Sequence, residues 1–123
     1  MLRPSNKELF GKLREAKAAL KSGAFFLLDP DVIAEDAIEL GYDIGDELTE
    51  ILAELLEAAS LGDYAGSRPP QRAYKREIEG LELFAFAVES RRFACRVYFK
   101  FALSGGALWL VSLHEDRPLE EAS

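Results

Sequence analysis

The chain has few of the residues that build disulfides and metal centres. Its 123 residues include one cysteine, Cys95, and one histidine, His114. One of each cannot form an intramolecular disulfide or a Cys/His metal site, and no glycine-rich phosphate loop precedes a helix, so we expect no metal and no cofactor. No apolar run approaches the roughly 20 residues of a transmembrane helix, and the N-terminus lacks a signal-peptide core. We therefore expect a cytoplasmic protein with no membrane partner.

Basic residues are missing from one long stretch of the chain. Residues 22–63 contain twelve acids and no Lys or Arg, whereas residues 64–100 contain eight Lys or Arg and four Glu. The net charge of −7 argues against non-specific nucleic-acid binding. Anion binding depends on the local field, so the basic segment is still a candidate phosphate site. The acidic segment is either a solvated face or a surface for a basic partner.

The order of the patterns predicts one α+β domain spanning 1–123. Helical apolar spacing after the capping residues Ser5, Asp29 and Asp43 predicts helices within about 5–60. The run Ala24–Leu28 is an edge strand or an extended linker, and Leu61–Gln71 is a loop. A two-residue period then predicts an antiparallel sheet over about 72–114, with strands at Arg72–Glu79, Leu81–Glu89, Phe93–Leu103 and Ala107–His114. N-terminal helices would pack on this four-stranded antiparallel sheet, and a frayed tail would follow at 117–123.

Loop length decides which face of the last hairpin carries His114. A two-residue loop at Gly105–Gly106 would pair it with Val97 and send the imidazole to the core side, whereas a three-residue loop would pair it with Arg96. We favour the three-residue loop, because it also sets Phe101 opposite Trp109 on the core face.

The polar face of this hairpin is the only cluster suited to chemistry. It would present Arg96, Tyr98, Lys100 and His114, which are two cations, a phenol and an imidazole. Such a set can bind a phosphate and transfer a proton. The alternative is that these side chains are ordinary solvated charges and a packed tyrosine on an outer strand face.

Four segments carry a likeness to a known family. They are EDAIELGYDIGDELTEILAEL from Glu35, DYAGS at Asp63–Ser67, VYFK at Val97–Lys100 and LWLVSLHED at Leu108–Asp116. In order and spacing they resemble the MqsR family of toxin endoribonucleases, relatives of the RelE-type mRNA interferases. The resemblance implies a RelE/barnase-like fold, cleavage of mRNA either free or on the ribosome, and a cognate antitoxin protein that holds the toxin inactive.

The resemblance also implies roles for single residues. The family's catalytic tyrosine falls on Tyr98, and its C-terminal catalytic lysine falls on His114. Histidine suits acid–base work, since its ordinary pKa is about 6.5. The lysine of the DYAGS-like motif falls on Gly66, and Arg68 would replace that cation, whereas the family's upstream glutamine has no counterpart near Phe84–Ala85. The candidate site therefore consists of Tyr98 and His114 as catalytic residues and of Arg96, Lys100 and Arg68 as phosphate- and RNA-binding residues, without a metal.

Other classes of function remain open at this point. An acidic immunity- or antitoxin-like inhibitor would offer its Ser22–Asp63 face to a basic partner and would need no catalytic residue. A degenerate toxin would keep the fold and have no activity, and a plain scaffold domain would use neither surface.

Overall fold

A computed structural model describes residues 3–117, which form three α-helices and a four-stranded sheet. The elements are α1 (Asn6–Ser22), β1 (Phe25–Leu27), α2 (Pro30–Leu40), α3 (Ile44–Ala58), β2 (Phe84–Ser90), β3 (Cys95–Ser104) and β4 (Ala107–Glu115). The predicted α+β class is confirmed. Of the tail predicted at 117–123, only Arg117 lies within the described residues, and its guanidinium donates to Glu39 Oε2 at 2.6 Å.

The three predicted capping residues do begin the three helices. Ser5 Oγ accepts from the Glu8 amide at 3.1 Å, Asp29 caps α2, and Asp43 Oδ2 accepts from the Asp46 amide at 2.9 Å. Each such cap stabilises a helix by about 1 kcal/mol. None of the helices within residues 3–117 is long and apolar enough to cross a membrane.

The sheet is mixed, so the prediction of a purely antiparallel sheet is wrong. The strand order is β1-β4-β3-β2, with β2, β3 and β4 antiparallel and β1 parallel to β4. The run Ala24–Leu28 supplies this fourth strand: Leu108 N–H donates to Ala24 at 2.8 Å, and Leu28 N–H donates to Leu110 at 3.0 Å. The outer edge of β2 is bound by residues 64 and 65, through the Tyr64–Phe86 bridge and the Ala65 amide, which donates to Ala85, so the edge of β4 was left for β1.

The predicted strand Arg72–Glu79 is not a strand. Arg72 makes one isolated bridge to Glu82, and residues Arg76–Ile78 form a 3-10 turn. Its two buried side chains, Ala73 and Ile78, lie five positions apart, which is not the two-residue period of a half-buried strand. The segment instead folds as a loop over one face of the sheet, and the next strand begins at Phe84 rather than at residue 81.

Two apolar clusters lie on opposite faces of the sheet. The helices cover one face, where Phe86 of β2 stacks with Phe99 and Phe101 of β3 at centroid distances of 5.9 and 6.2 Å. A smaller cluster on the outer face joins Ala102, Trp109 and Val111 to the loop at 73–83. The loop covers only part of the outer face, so polar side chains occupy the rest.

A β-bulge sets the register of the β3–β4 hairpin. The turn is the two-residue one, with Gly105 and Gly106 both left-handed at φ 54° and 86°. Phe101 pairs with Leu110 but Lys100 pairs with Ser112, so Val111 is an extra residue. The predicted three-residue loop is therefore wrong, yet the bulge returns His114 to the predicted polar face.

The pairing partners also differ from those predicted. His114 lies opposite Tyr98 rather than Arg96, and Trp109 lies opposite Ala102 on the outer face rather than opposite Phe101 in the core. Because the extra residue is Val111, the bulge shifts the face of β4 residues from Ser112 onward and leaves Trp109 on the outer face.

Candidate functional site

Tyr98 and His114 form a stacked pair at the centre of the outer face. They are direct cross-strand partners in β3 and β4. Their ring centroids are 5.1 Å apart and their planes differ by 21°. Both strands are long and paired, which fixes the two backbones, and the stacking limits the side-chain rotamers. The sequence predicted that these two residues share a face, and the structure brings them into contact.

The hydrogen bond of His114 selects its tautomer. The Nδ1 atom lies 2.8 Å from the carbonyl oxygen of Glu115. A carbonyl oxygen only accepts hydrogen bonds, so the proton must sit on Nδ1. The Nε2 atom of the neutral ring is then left with a lone pair. His114 can therefore accept a proton at Nε2 while Nδ1 holds the ring in place.

Tyr98 is set up as a donor of hydrogen bonds. Its half-buried position, and then the negative charge of Asp116, raise the pKa of Tyr98 above the ordinary value of 10.0. A higher pKa means that the phenol keeps its proton at neutral pH. Tyr98 therefore carries a proton that it can share with or give to a developing oxyanion, and a protonated phenol does not act as a base.

A cavity of about 270 Å³ opens on the same face of the sheet and is lined by three cations, Lys100, Arg72 and Lys75, but not by Tyr98 or His114. Lys100 lies two residues from Tyr98 on the same strand face, a separation of about 7 Å. No carboxylate of residues 3–117 lines the cavity. None of the three cations makes an ion pair with any residue of 3–117. Arg72 donates to the Gly80 carbonyl at 2.9 Å, and its bridge partner is Glu82, whose carboxylate is already held by Arg3. The cavity is therefore suited to an anion such as a phosphate.

Arg96 shares the face but has acidic neighbours. Its Nε atom lies 3.4 Å from Asp116 Oδ2, and its carbonyl accepts from the Asp116 amide at 2.8 Å. Glu89 of β2 is its cross-strand partner. These two carboxylates offset the positive field of Arg96, which makes it a weaker phosphate ligand than Lys100.

Arg68 lies in a different environment. Its guanidinium sits 4.9 Å from the centroid of the Tyr64 ring and donates to the Pro4 carbonyl at 3.1 Å. Within residues 3–117, no hydrogen bond joins the Arg68 side chain to Tyr98 or His114, and its one cation–π contact is with Tyr64. A Cβ at Gly66 would lie 2.6 Å from the Tyr64 hydroxyl, so a lysine there would displace that ring.

Arg72, Lys75 and Tyr74 are site residues that the sequence reasoning missed. Tyr74 is 86% exposed on the wall of the cavity. The signal was present, because RAYKR at 72–76 is the densest basic run in the chain. If this run were a strand, its charged side chains would alternate between two faces. The run is a loop instead, and Arg72 and Lys75 line the same cavity as Lys100.

A larger cavity, of about 530 Å³, lies at the turn between β2 and β3. Its principal cation, Arg92, is already bound by acids of α3: Nη2 lies 2.6 Å from Glu54 and 3.2 Å from Glu50, and Nη1 lies 3.1 Å from Glu47. These pairs tie the turn to α3. Size therefore does not decide between the two cavities: Arg92 in the larger one is held by carboxylates, and Glu54 and Glu89 also line it, whereas the smaller one has three cations and no acid among the residues of 3–117 that line it.

The chain was also compared with known proteins. No protein-family model matches it, and no curated protein matches it in sequence. The Tyr98–His114 pair and the cation-lined cavity are the features of the molecule that bear on its function.

Proposed function

We propose that this chain is a metal-independent endoribonuclease with a RelE-type fold, the toxin of a toxin–antitoxin pair, which cleaves mRNA in the cytoplasm. The observation that carries the proposal is the stacked Tyr98–His114 pair on the sheet face that also holds the cavity of Lys100, Arg72 and Lys75, with Lys100 two residues from Tyr98 on β3. One proton acceptor, one proton donor and unpaired cations are the three components that RNA cleavage requires of a protein. The resemblance of the hairpin segments to MqsR-type toxins supports the same function.

His114 acts as the base in this mechanism. Its Nε2 atom removes the proton from a ribose 2′-OH, and the 2′-oxygen attacks the adjacent phosphorus. The Nδ1 hydrogen bond to the Glu115 carbonyl orients the ring and stabilises the imidazolium that forms. A positioned general base contributes about 10²–10⁴-fold to the rate.

Tyr98 and the cations act on the other charges of the transition state. The bond from phosphorus to the 5′-oxygen breaks, and the Tyr98 phenol protonates that oxygen as it leaves. Lys100, with Arg72 and Lys75 behind it, binds the negative phosphate oxygens. The products are a 2′,3′-cyclic phosphate and a free 5′-hydroxyl, and His114 returns its proton to Tyr98 or to solvent.

The test is a cleavage assay with purified protein, single-stranded RNA and EDTA, with and without ribosomes. Wild type should cleave, and His114→Ala should be slower by about 10²–10⁴-fold while keeping the wild-type circular dichroism spectrum. Lys17→Ala is the matched control, because Lys17 is an exposed cation of α1 that pairs with Glu57 at 3.4 Å and lies outside the site. Equal rates for wild type and His114→Ala would refute the proposal.

A second candidate is a non-catalytic module that binds a basic partner through α2. The supporting observation is Ile38, which is 79% exposed between the acids Glu35 and Glu39 on one helix face. Under this candidate Glu35→Lys abolishes binding of a basic partner in calorimetry, and His114→Ala changes nothing. The α3 acids are poorer probes, because reversing Glu54 would also break its contact with Arg92.

A further inference from the structure

The outer face carries an aromatic pair that the proposed chemistry does not use. Phe26 of β1 is the cross-strand partner of Trp109 of β4, and their rings stack with centroids 5.0 Å apart and planes inclined by 27°. Phe26 is 48% exposed, whereas Trp109 is partly buried against the 73–83 loop. Trp109 therefore covers one side of the Phe26 ring, while Phe26 as a residue keeps about half of its surface open to solvent.

This pair adjoins the cation-lined cavity. Leu28 follows Phe26 by two residues and Val111 follows Trp109 by two, and both of these apolar side chains line the cavity. A step of two residues along a strand is about 7 Å. The open aromatic ring and the unpaired cations thus belong to one continuous surface.

Aromatic rings beside a cationic groove are the arrangement by which proteins hold single-stranded nucleic acids. The cations contact phosphates, and each base stacks on a ring whatever its identity, because every base has a π face. A base inside a duplex has both faces covered by its neighbours, so a stacking ring selects unpaired strands.

We propose that Phe26 and Trp109 form a stacking subsite for one unpaired base of an RNA strand whose phosphate lies in the cavity of Lys100, Arg72 and Lys75. The inference rests on the proposed endoribonuclease function and specifies its substrate as single-stranded. The Trp109–Ala102 pair lies four residues along β3 from the His114–Tyr98 pair, about 13 Å. The stacked base therefore belongs to a nucleotide outside the scissile linkage.

The test measures binding of an oligonucleotide that cannot be cleaved. A 2′-O-methyl strand of about ten nucleotides lacks the nucleophile, and an abasic strand of the same length keeps the phosphates without the bases. Fluorescence anisotropy gives both affinities. Emission from Trp109, the only tryptophan, reports the subsite directly.

Wild type should bind the strand with bases at least about fivefold more tightly than the abasic strand, with quenching of Trp109. Phe26→Leu keeps an apolar side chain but removes the ring, and should bind both strands equally. Phe10→Leu is the matched control: Phe10 is 56% exposed with Arg14 at 6.0 Å, but lies on α1 across the sheet, and its loss should change neither affinity.

Three outcomes would overturn the subsite: equal affinity of wild type for both strands, no effect of Phe26→Leu, or an emission change with protein concentration alone, which would show self-association through this patch. Failure of the nuclease proposal would look different. A wild type that prefers the strand with bases but leaves RNA intact would keep the subsite and refute cleavage. A wild type that cleaves RNA but binds both strands equally would keep the nuclease proposal and refute the subsite.

Discussion

The salt dependence of RNA binding should separate Lys100 from Arg96, two cations of the same strand face. Lys100 lines a cavity with Arg72 and Lys75 and has no carboxylate partner within residues 3–117. Arg96 lies 3.4 Å from Asp116 and opposite Glu89. A phosphate gains little from a cation whose charge is already offset, so only the cavity residues should release counterions when RNA binds.

The size of the effect follows from the number of phosphate contacts. For single strands, the slope of log K against log salt is about −0.7 per contact, so three contacts give about −2.1. Raising the salt concentration fourfold should then weaken wild type about 18-fold and Lys100→Ala, with two contacts, about sevenfold. Arg96→Ala should keep the wild-type slope.

The assay is anisotropy of a labelled 2′-O-methyl strand over a series of salt concentrations, with each variant checked for wild-type thermal unfolding. A slope unchanged by Lys100→Ala would refute the assignment of the cavity as the phosphate site. So would an equal loss of slope in Arg96→Ala.

Stability measurements give three further predictions. The Tyr42 hydroxyl is buried and has no hydrogen-bond partner within residues 3–117, so Tyr42→Phe should raise the free energy of unfolding in urea by about 1 kcal/mol, whereas Tyr74→Phe, at an exposed site, should not. Burial raises the pKa of Tyr42 to about 12 in the folded protein, so the unfolded chain loses the phenol proton at a lower pH than the folded protein does. The free energy of unfolding of wild type should therefore fall as the pH rises from 10 to 12, and that of Tyr42→Phe should fall less. The Arg92 guanidinium lowers the pKa of Glu54, so the ionised carboxylate stabilises the fold at pH values above the ordinary pKa of a carboxyl group, and this stabilisation is lost as the pH falls through the lowered pKa. Arg92→Leu should therefore make the free energy of unfolding depend less on pH in the acid range.

Local signals in the sequence were sufficient for the helices. Asp29 followed by Pro30, and Gly41 at φ 85°, bracket α2 as the sequence predicted, because capping depends on a few adjacent residues. The parallel pairing of β1 with β4 could not be predicted in the same way. It depends on which sheet edge is left free after β2, β3 and β4 have paired and residues 64 and 65 have bound the outer edge of β2.

The candidate site, too, was predictable where it depends on local sequence and not where it depends on contacts distant in sequence. The two-residue period placed Tyr98 and Lys100 on one face, and the structure agrees. The bulge at Val111 gives no sequence signal, because an extra valine looks the same as a paired one. The loop at 72–78 was missed for a related reason: its fold is set by contacts with Ala102 and Trp109, which are distant in sequence.

The central claim is that His114 and Tyr98 divide the work of base and acid, and a substrate with a sulfur in place of the 5′-oxygen tests it most directly. A thiolate leaves without protonation, so it needs a base but no acid. Tyr98→Phe, which keeps the stacked ring, should cleave the oxygen substrate about 10²–10⁴-fold more slowly than wild type and the sulfur substrate at close to the wild-type rate. His114→Ala should be slow on both. Equal defects of Tyr98→Phe on the two substrates, or no cleavage of either by wild type, would contradict the account.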